Sequence, residues 1–150
     1  MRAMIGVSAL GHVALRAQDF DLLYDFYVHK LGFPEFLRFS TPEGKLRLVY
    51  LYITDTQCLE LFPDAVGEAS PKNHPGVFHI ALTIDDLDAT LADLDRRGVA
   101  YNDPVRSTAS RSDGNKASGI TDPEGNYIEL IQMLPTGAQP VALERFHGRG

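Results

Sequence analysis

Apolar and polar positions alternate or recur every three to four residues along most of the chain, and the pattern runs through one cycle twice. "VSALGHVALRA" (Val7 to Ala17) alternates as a strand does, with Val7, Ala9, Val13 and Leu15 on one parity and Ser8, His12, Ala14 and Arg16 on the other. Asp19 is placed to cap a helix whose apolar positions Phe20, Leu23, Tyr27 and Leu31 lie at helical spacing, and Gly32 ends it. Strands are predicted over Glu35–Phe39, Lys45–Ile53 and Gln57–Phe62, with "TPEG" and "TDTQ" as the turns between them.

After a Pro- and Gly-rich loop, "PDAVGEASPKNHPG", the cycle restarts. Val77–Ile84 reads as a strand and Asp86 as a cap. Leu87, Leu91 and Leu94 form a helical stripe ending at Gly98. A short strand near Val99–Asn102, a polar loop, a strand near Lys116–Thr121, the turn "DPEGN" and the strand "YIELIQM" follow. The expected fold is α+β, two βαβββ modules forming curved mixed sheets. One domain over residues 1–134 would hold module 1 at about 7–63 and module 2 at about 77–134. A C-terminal arm, 135–150, would carry a small apolar cluster of Val141, Leu143 and Phe146.

The repeat extends to individual residues. "GHVAL" matches "FHIAL", and a common offset of 67 relates His12 to His79 and Asp19 to Asp86. "CLELF" matches "YIELI", so Glu60 has its counterpart in Glu129. A carboxylate between leucines on an apolar strand is costly unless it is solvated, paired or bound to a metal. Parity sets Glu60 opposite Leu59 and Leu61, Glu129 opposite Ile128 and Leu130, and His79 opposite Phe78, Ile80 and Leu82. If each sheet carries its helix on the outer face, two imidazoles and two carboxylates share the inner one. That donor set suits zinc, nickel, cobalt or iron, and its two carboxylates admit manganese. A lone His or Glu on a strand is ordinary; the repetition of the pair singles these four out.

Composition adds bounds. With 150 residues, 44% hydrophobic and 23% charged, the chain is an ordinary globular one. A net charge of −6 disfavours nucleic acid and anionic membranes as partners. The single cysteine, Cys58, has no intrachain disulfide partner and reads as a small buried thiol. The N-terminal residues lack a long apolar run and a clear cleavage site, so a soluble cytoplasmic protein is expected. His29, His74 and His147 have no repeat partner. Arg47, Arg111 and Lys116 could add positive charge around the mouth of a site but read rather as solvated surface cations, and "SRSDGNKASG" reads as a mobile loop that could line a site.

The segments "GHVALRAQDFDLLYDFYVHKLGF", "QCLELF", "FHIALTIDDLDATLADLDRRGV" and "DPEGNYIELIQM" resemble the vicinal-oxygen-chelate superfamily of glyoxalases, bleomycin-resistance proteins and dioxygenases over nearly all of residues 7–133. The His, Glu, His, Glu order is most like glyoxalase I, the lactoylglutathione lyase. The resemblance implies His12, Glu60, His79 and Glu129 as metal ligands, with one divalent metal per site (Ni, Zn, Co, Mn or Fe). It also implies a lyase or isomerase that moves a proton through a metal-bound enediolate on a small carbonyl or hemithioacetal substrate. Glu129 would be the base, and Glu60 its partner or the base for the opposite stereoisomer. Arg16 matches an arginine that contacts glutathione, while Asp64 stands where such enzymes tend to carry Asn. The resemblance implies glutathione or another thiol as a co-substrate. A homodimer is implied, with the site formed within a chain or across two. The same superfamily offers an iron(II) dioxygenase and a non-catalytic small-molecule-binding or resistance protein as alternatives.

Overall fold

The computed structural model describes residues 5–68, 75–106, 111 and 113–148. The chain divides into two compact units, Met1–Glu68 and Ala69–Gly150.

In the first unit, β1 (His12–Arg16) is followed by α1 (Phe20–Tyr24), and then by β2 (Glu35–Ser40), β3 (Leu46–Thr54) and β4 (Gln57–Phe62). The sheet order is β1-β4-β3-β2, with β1 parallel to β4 and the other pairs antiparallel. Asp19 caps α1 by accepting from the Leu22 N–H at 3.0 Å. The helix does not run on to Gly32 as α-helix: Asp25–Lys30 is a π-helical segment, closed by Leu31 N–H donating to the Phe26 carbonyl. Phe26 and Tyr27, three and four residues after Leu23, are buried on the same side as it. They join Ala17, Leu23, Val49, Leu51, Leu59 and Leu61 as the buried apolar side chains among the unit's described residues.

The second unit contains β5 (Ile80–Thr83), α2 (Leu87–Arg97), β6 (Lys116–Thr121), β7 (Tyr127–Gln132) and α3 (Ala138–His147). Its mixed sheet has the order β5-β7-β6. Asp86 caps α2 through the Ala89 N–H at 2.8 Å, and Gly98 ends it with φ at 66°, the left-handed value that glycine adopts without penalty. Leu87, Leu91 and Leu94 pack with Ile120, Ile128 and Leu130 in its core.

Four expectations need correction. The strands β1 and β5 start late, at His12 and Ile80. Val7 and Phe78 are 54% and 72% exposed, so Phe78 does not join Ile80 and Leu82 on the helix-facing side. No strand forms at Val99–Asn102, where Asn102 N–H donates once to the Gly119 carbonyl. Two residues on, Pro104 has no N–H to give, and a single bridge follows at Val105–Ala117. The second unit therefore shows three strands among its described residues where four were expected. The C-terminal arm is a helix with no buried residue, so Val141, Leu143 and Phe146 do not form a packed cluster.

Leu61 is fully buried on a strand with a neighbour on each side. Leu61→Ala should cost about 2–5 kcal/mol in urea unfolding. Leu143→Ala, on the open side of α3, should change stability by less than about 0.5 kcal/mol.

Candidate metal centre

In the first unit, burial of Leu59 and Leu61 on the helix side turns Cys58, Glu60 and Phe62 to the open face. The β1–β4 register sets Ala14 beside Glu60 and Arg16 beside Phe62. His12, two residues before Ala14, brings its Nε2 to 3.7 Å from Glu60 Oε2. Glu60 is only 8% exposed. Its antiparallel partner on β3 is Tyr50, whose phenol is raised above its ordinary value by hydrogen bonding to Glu60 first, then by burial. The carboxylate opposes loss of the phenol's proton. Cys58 is also raised, by burial and then by the Glu60 charge, which keeps it a thiol. Arg16 lies over the Phe62 ring at 5.9 Å, with no acidic partner among the described residues.

The second unit repeats the pair. Glu129 lies between Ala81 on β5 and Gly119 on β6, and His79, one residue before β5, sets its Nε2 3.6 Å from Glu129 Oε2. Gly119 has no side chain, and a Cβ there would run into the Tyr127 phenol, which packs edge-on against His79 at 6.0 Å between ring centroids. Arg111, expected as a solvated cation, is instead engaged. Its Nη1 donates to Glu129 Oε1 at 2.9 Å, and its Nε and Nη2 donate to the two oxygens of Asp113 at 2.8 and 2.6 Å. This holds the Asp113 carboxyl well below the usual range and raises Arg111, first through the hydrogen bonds to Asp113.

The donor types of each pair, an imidazole and a carboxylate, are ones that a divalent metal takes. The separations of 3.6 and 3.7 Å are too long for direct hydrogen bonds. They are close to the roughly 3.0–3.5 Å that separates two ligands each about 2.0–2.2 Å from one ion. Each unit brings together one imidazole and one carboxylate. Among the described residues, no group of three or more His, Cys, Asp or Glu converges. Arg16 shares its sheet face with the first pair. His29 packs edge-on against Tyr24, Asp64 pairs with Lys45 at 2.9 Å, and His74 lies outside the described residues. In the loop read as mobile, Asp113 and Asn115 are tied by hydrogen bonds, and Ser110 and Ser112 lie outside the described residues.

Tyr50 was missed in the sequence, and the bond from Arg111 to Glu129 was not expected. Counting back from the turn at Thr54–Gln57 would pair Glu60 with Leu51, but a register shift between Tyr52 and Thr54 brings Tyr50 there instead. Arg111 reaches Glu129 from a loop, and periodicity carries no signal for that.

The mixed sheets and the duplicated His–Glu pair define a class. The chain belongs to the glyoxalase/bleomycin resistance protein/dioxygenase superfamily, whose family model matches residues 9–130. Among its relatives, YwkD of Bacillus subtilis is 26% identical, over 85% of this chain and 98% of that protein. The lactoylglutathione lyase of Pseudomonas putida is 25% identical, over 83% of this chain and 84% of that protein. The crystal structure of a glyoxalase family protein from Enterococcus faecalis superposes with a TM-score of 0.72 at 25% identity, covering 85% of this chain and all of that one. No helix among the described residues is long and apolar enough to cross a membrane.

Because the Asp113 carboxyl is depressed in the fold, its contribution to stability is present above its unfolded value of about 3.9 and lost as pH falls through the folded one. Asp113→Asn should therefore lower the urea midpoint at neutral pH. The gap to the wild type should narrow below about pH 3.

Proposed function

We propose that this chain is a metal-dependent lyase or isomerase similar to lactoylglutathione lyase, moving a proton between neighbouring carbons of a small carbonyl or hemithioacetal substrate. The observation that carries this reading is the duplicated pair, His12 with Glu60 at 3.7 Å and His79 with Glu129 at 3.6 Å. Under this reading His12, Glu60, His79 and Glu129 are the donors for one divalent cation (Ni, Zn, Co, Mn or Fe), within a chain or in a homodimer. When bound, the cation supplies Lewis-acid stabilisation of the negative charge that develops on substrate oxygens.

The remaining roles belong to the chain. Glu129 takes the proton from one carbon and returns it to the next, with Glu60 as its partner or as the base for the opposite stereoisomer. Since Arg111 engages Oε1, the oxygen of Glu129 assigned to proton transfer is Oε2. Arg16, with no acidic partner among the described residues, orients a carboxylate of the substrate. Asp64 stands where the resembling enzymes tend to carry a neutral amide, and its carboxylate is taken up by Lys45 at 2.9 Å, so that amide contact to glutathione is not offered here. Glutathione is therefore assayed beside other thiols.

The test is metal analysis of the purified protein, then chelation, reconstitution with each ion and assay on the methylglyoxal–glutathione hemithioacetal and on hemithioacetals of other thiols. Glu129→Gln should keep the fold and lose turnover by about 10²–10⁴-fold. Arg16→Ala should raise KM by about tenfold with kcat little changed. Full activity in Glu129→Gln, or a wild type that binds none of these ions, overturns the proposal. Iron(II)-dependent oxygen consumption with a catechol would replace it with a dioxygenase.

A further inference from the structure

We infer that Arg111 is a positioning residue for Glu129, fixing the carboxylate so that Oε2 is presented on the side of His79; this rests on the proposed role of Glu129 as a metal ligand. The two oxygens of Glu129 already have different neighbours. Oε1 accepts from Arg111 Nη1 at 2.9 Å, and Oε2 faces His79 Nε2 at 3.6 Å. A charge-assisted hydrogen bond to one oxygen sets the plane of the carboxylate and removes the freedom to swing both oxygens away.

The repeat explains why a loop residue is needed. Glu60 receives its neighbour from the adjacent strand, where Tyr50 is its partner in the ladder. The residue paired with Glu129 in the same way is Gly119, which has no side chain to offer, and the space above it is filled by the Tyr127 ring. The donor that the strand lacks comes from Arg111.

Arg111 is itself held. Both Asp113 oxygens accept from its Nε and Nη2, and Asp113 Oδ1 also accepts from Asn115 N–H at 3.1 Å. The Asp113 carbonyl accepts from Ala138 N–H at 2.7 Å, at the start of α3. Asn115, 1% exposed, accepts from Leu134 N–H at 2.9 Å, and a Cβ on Gly137 would collide with its carboxamide. A run of hydrogen bonds thus connects the Glu129 carboxylate to the start of the C-terminal helix. Asp113 also offsets the guanidinium charge, so Arg111 contributes a directed donor more than a cation repelling the ion.

The test uses the full chain with Co(II) as the probe. Affinity is read by competition with a chelator, geometry from the visible spectrum, and integrity from thermal unfolding without metal. Arg111→Met should weaken Co(II) binding by about 10–100-fold and alter the spectrum in protein still folded at the assay temperature, whereas Asp113→Asn, which loses the same ion pair and lowers the metal-free midpoint likewise, should weaken it less. Arg111→Lys, which keeps the charge and a donor, should recover part of the loss. Equal or tighter binding by Arg111→Met overturns the inference, since Arg111 would then be a structural pin or a competitor of the ion. A wild type that binds Co(II) while Arg111→Met matches it sinks this inference alone; a wild type that binds no ion sinks the proposed function and this inference together.

Discussion

A carboxylate at the middle of each sheet is the constraint on which the rest depends. On β4, Leu59 and Leu61 are almost fully buried, and alternation then leaves Glu60 no place but the opposite face. A one-residue slip of the ladder would turn the carboxylate into the leucine core and bring the leucines out. A charge buried there without a partner would have to be neutralised. Register, core and donor placement are therefore one choice in this unit, and Ile128, Glu129 and Leu130 make the same choice on β7.

The two units meet the constraint with different surroundings. Glu60 is deeply buried, with β1 and β3 on either side and the Tyr50 phenol as its neighbour. The Glu129 side chain is more exposed, at 17% against 10%, and faces a glycine on β6. An ionised group with less protein around it keeps more water and more freedom, so a fixed geometry there needs an added hydrogen bond. The arginine that supplies it sits in the loop ahead of β6. The two units thus share their donor types and differ in the means of holding them.

Legibility in the sequence follows the range over which each feature is determined. Caps and strand parity are local, and Asp19, Asp86, Gly98 and the bounds Gln57–Phe62 stand where the pattern puts them. The His–Glu pairing was legible because two local patterns repeat at nearly the same offset. Strand ends were less so: Val7 and Phe78 continue the alternation, yet no neighbouring strand extends far enough to pair them. The π-helical turn carries no periodic signal in the sequence, and in place of the expected strand at Val99–Asn102 one hydrogen bond runs from Asn102 N–H to the Gly119 carbonyl. The bond from Arg111 to Glu129 was illegible for the same reason, since the two are 18 residues apart and nothing periodic connects them.

The C-terminal helix gains a role from this. It buries none of its own residues, so apolar packing alone gives little reason for it to stay beside the second unit. What ties its start is polar and specific, through the Asp113 carbonyl, the Asn115 carboxamide and a glycine that leaves room for it. Those same residues support the side chain that bonds to Glu129. A segment that looks like an appendage by hydrophobic pattern is thereby joined to the Glu129 carboxylate. Its contribution is better measured at Glu129 than in the stability of the core.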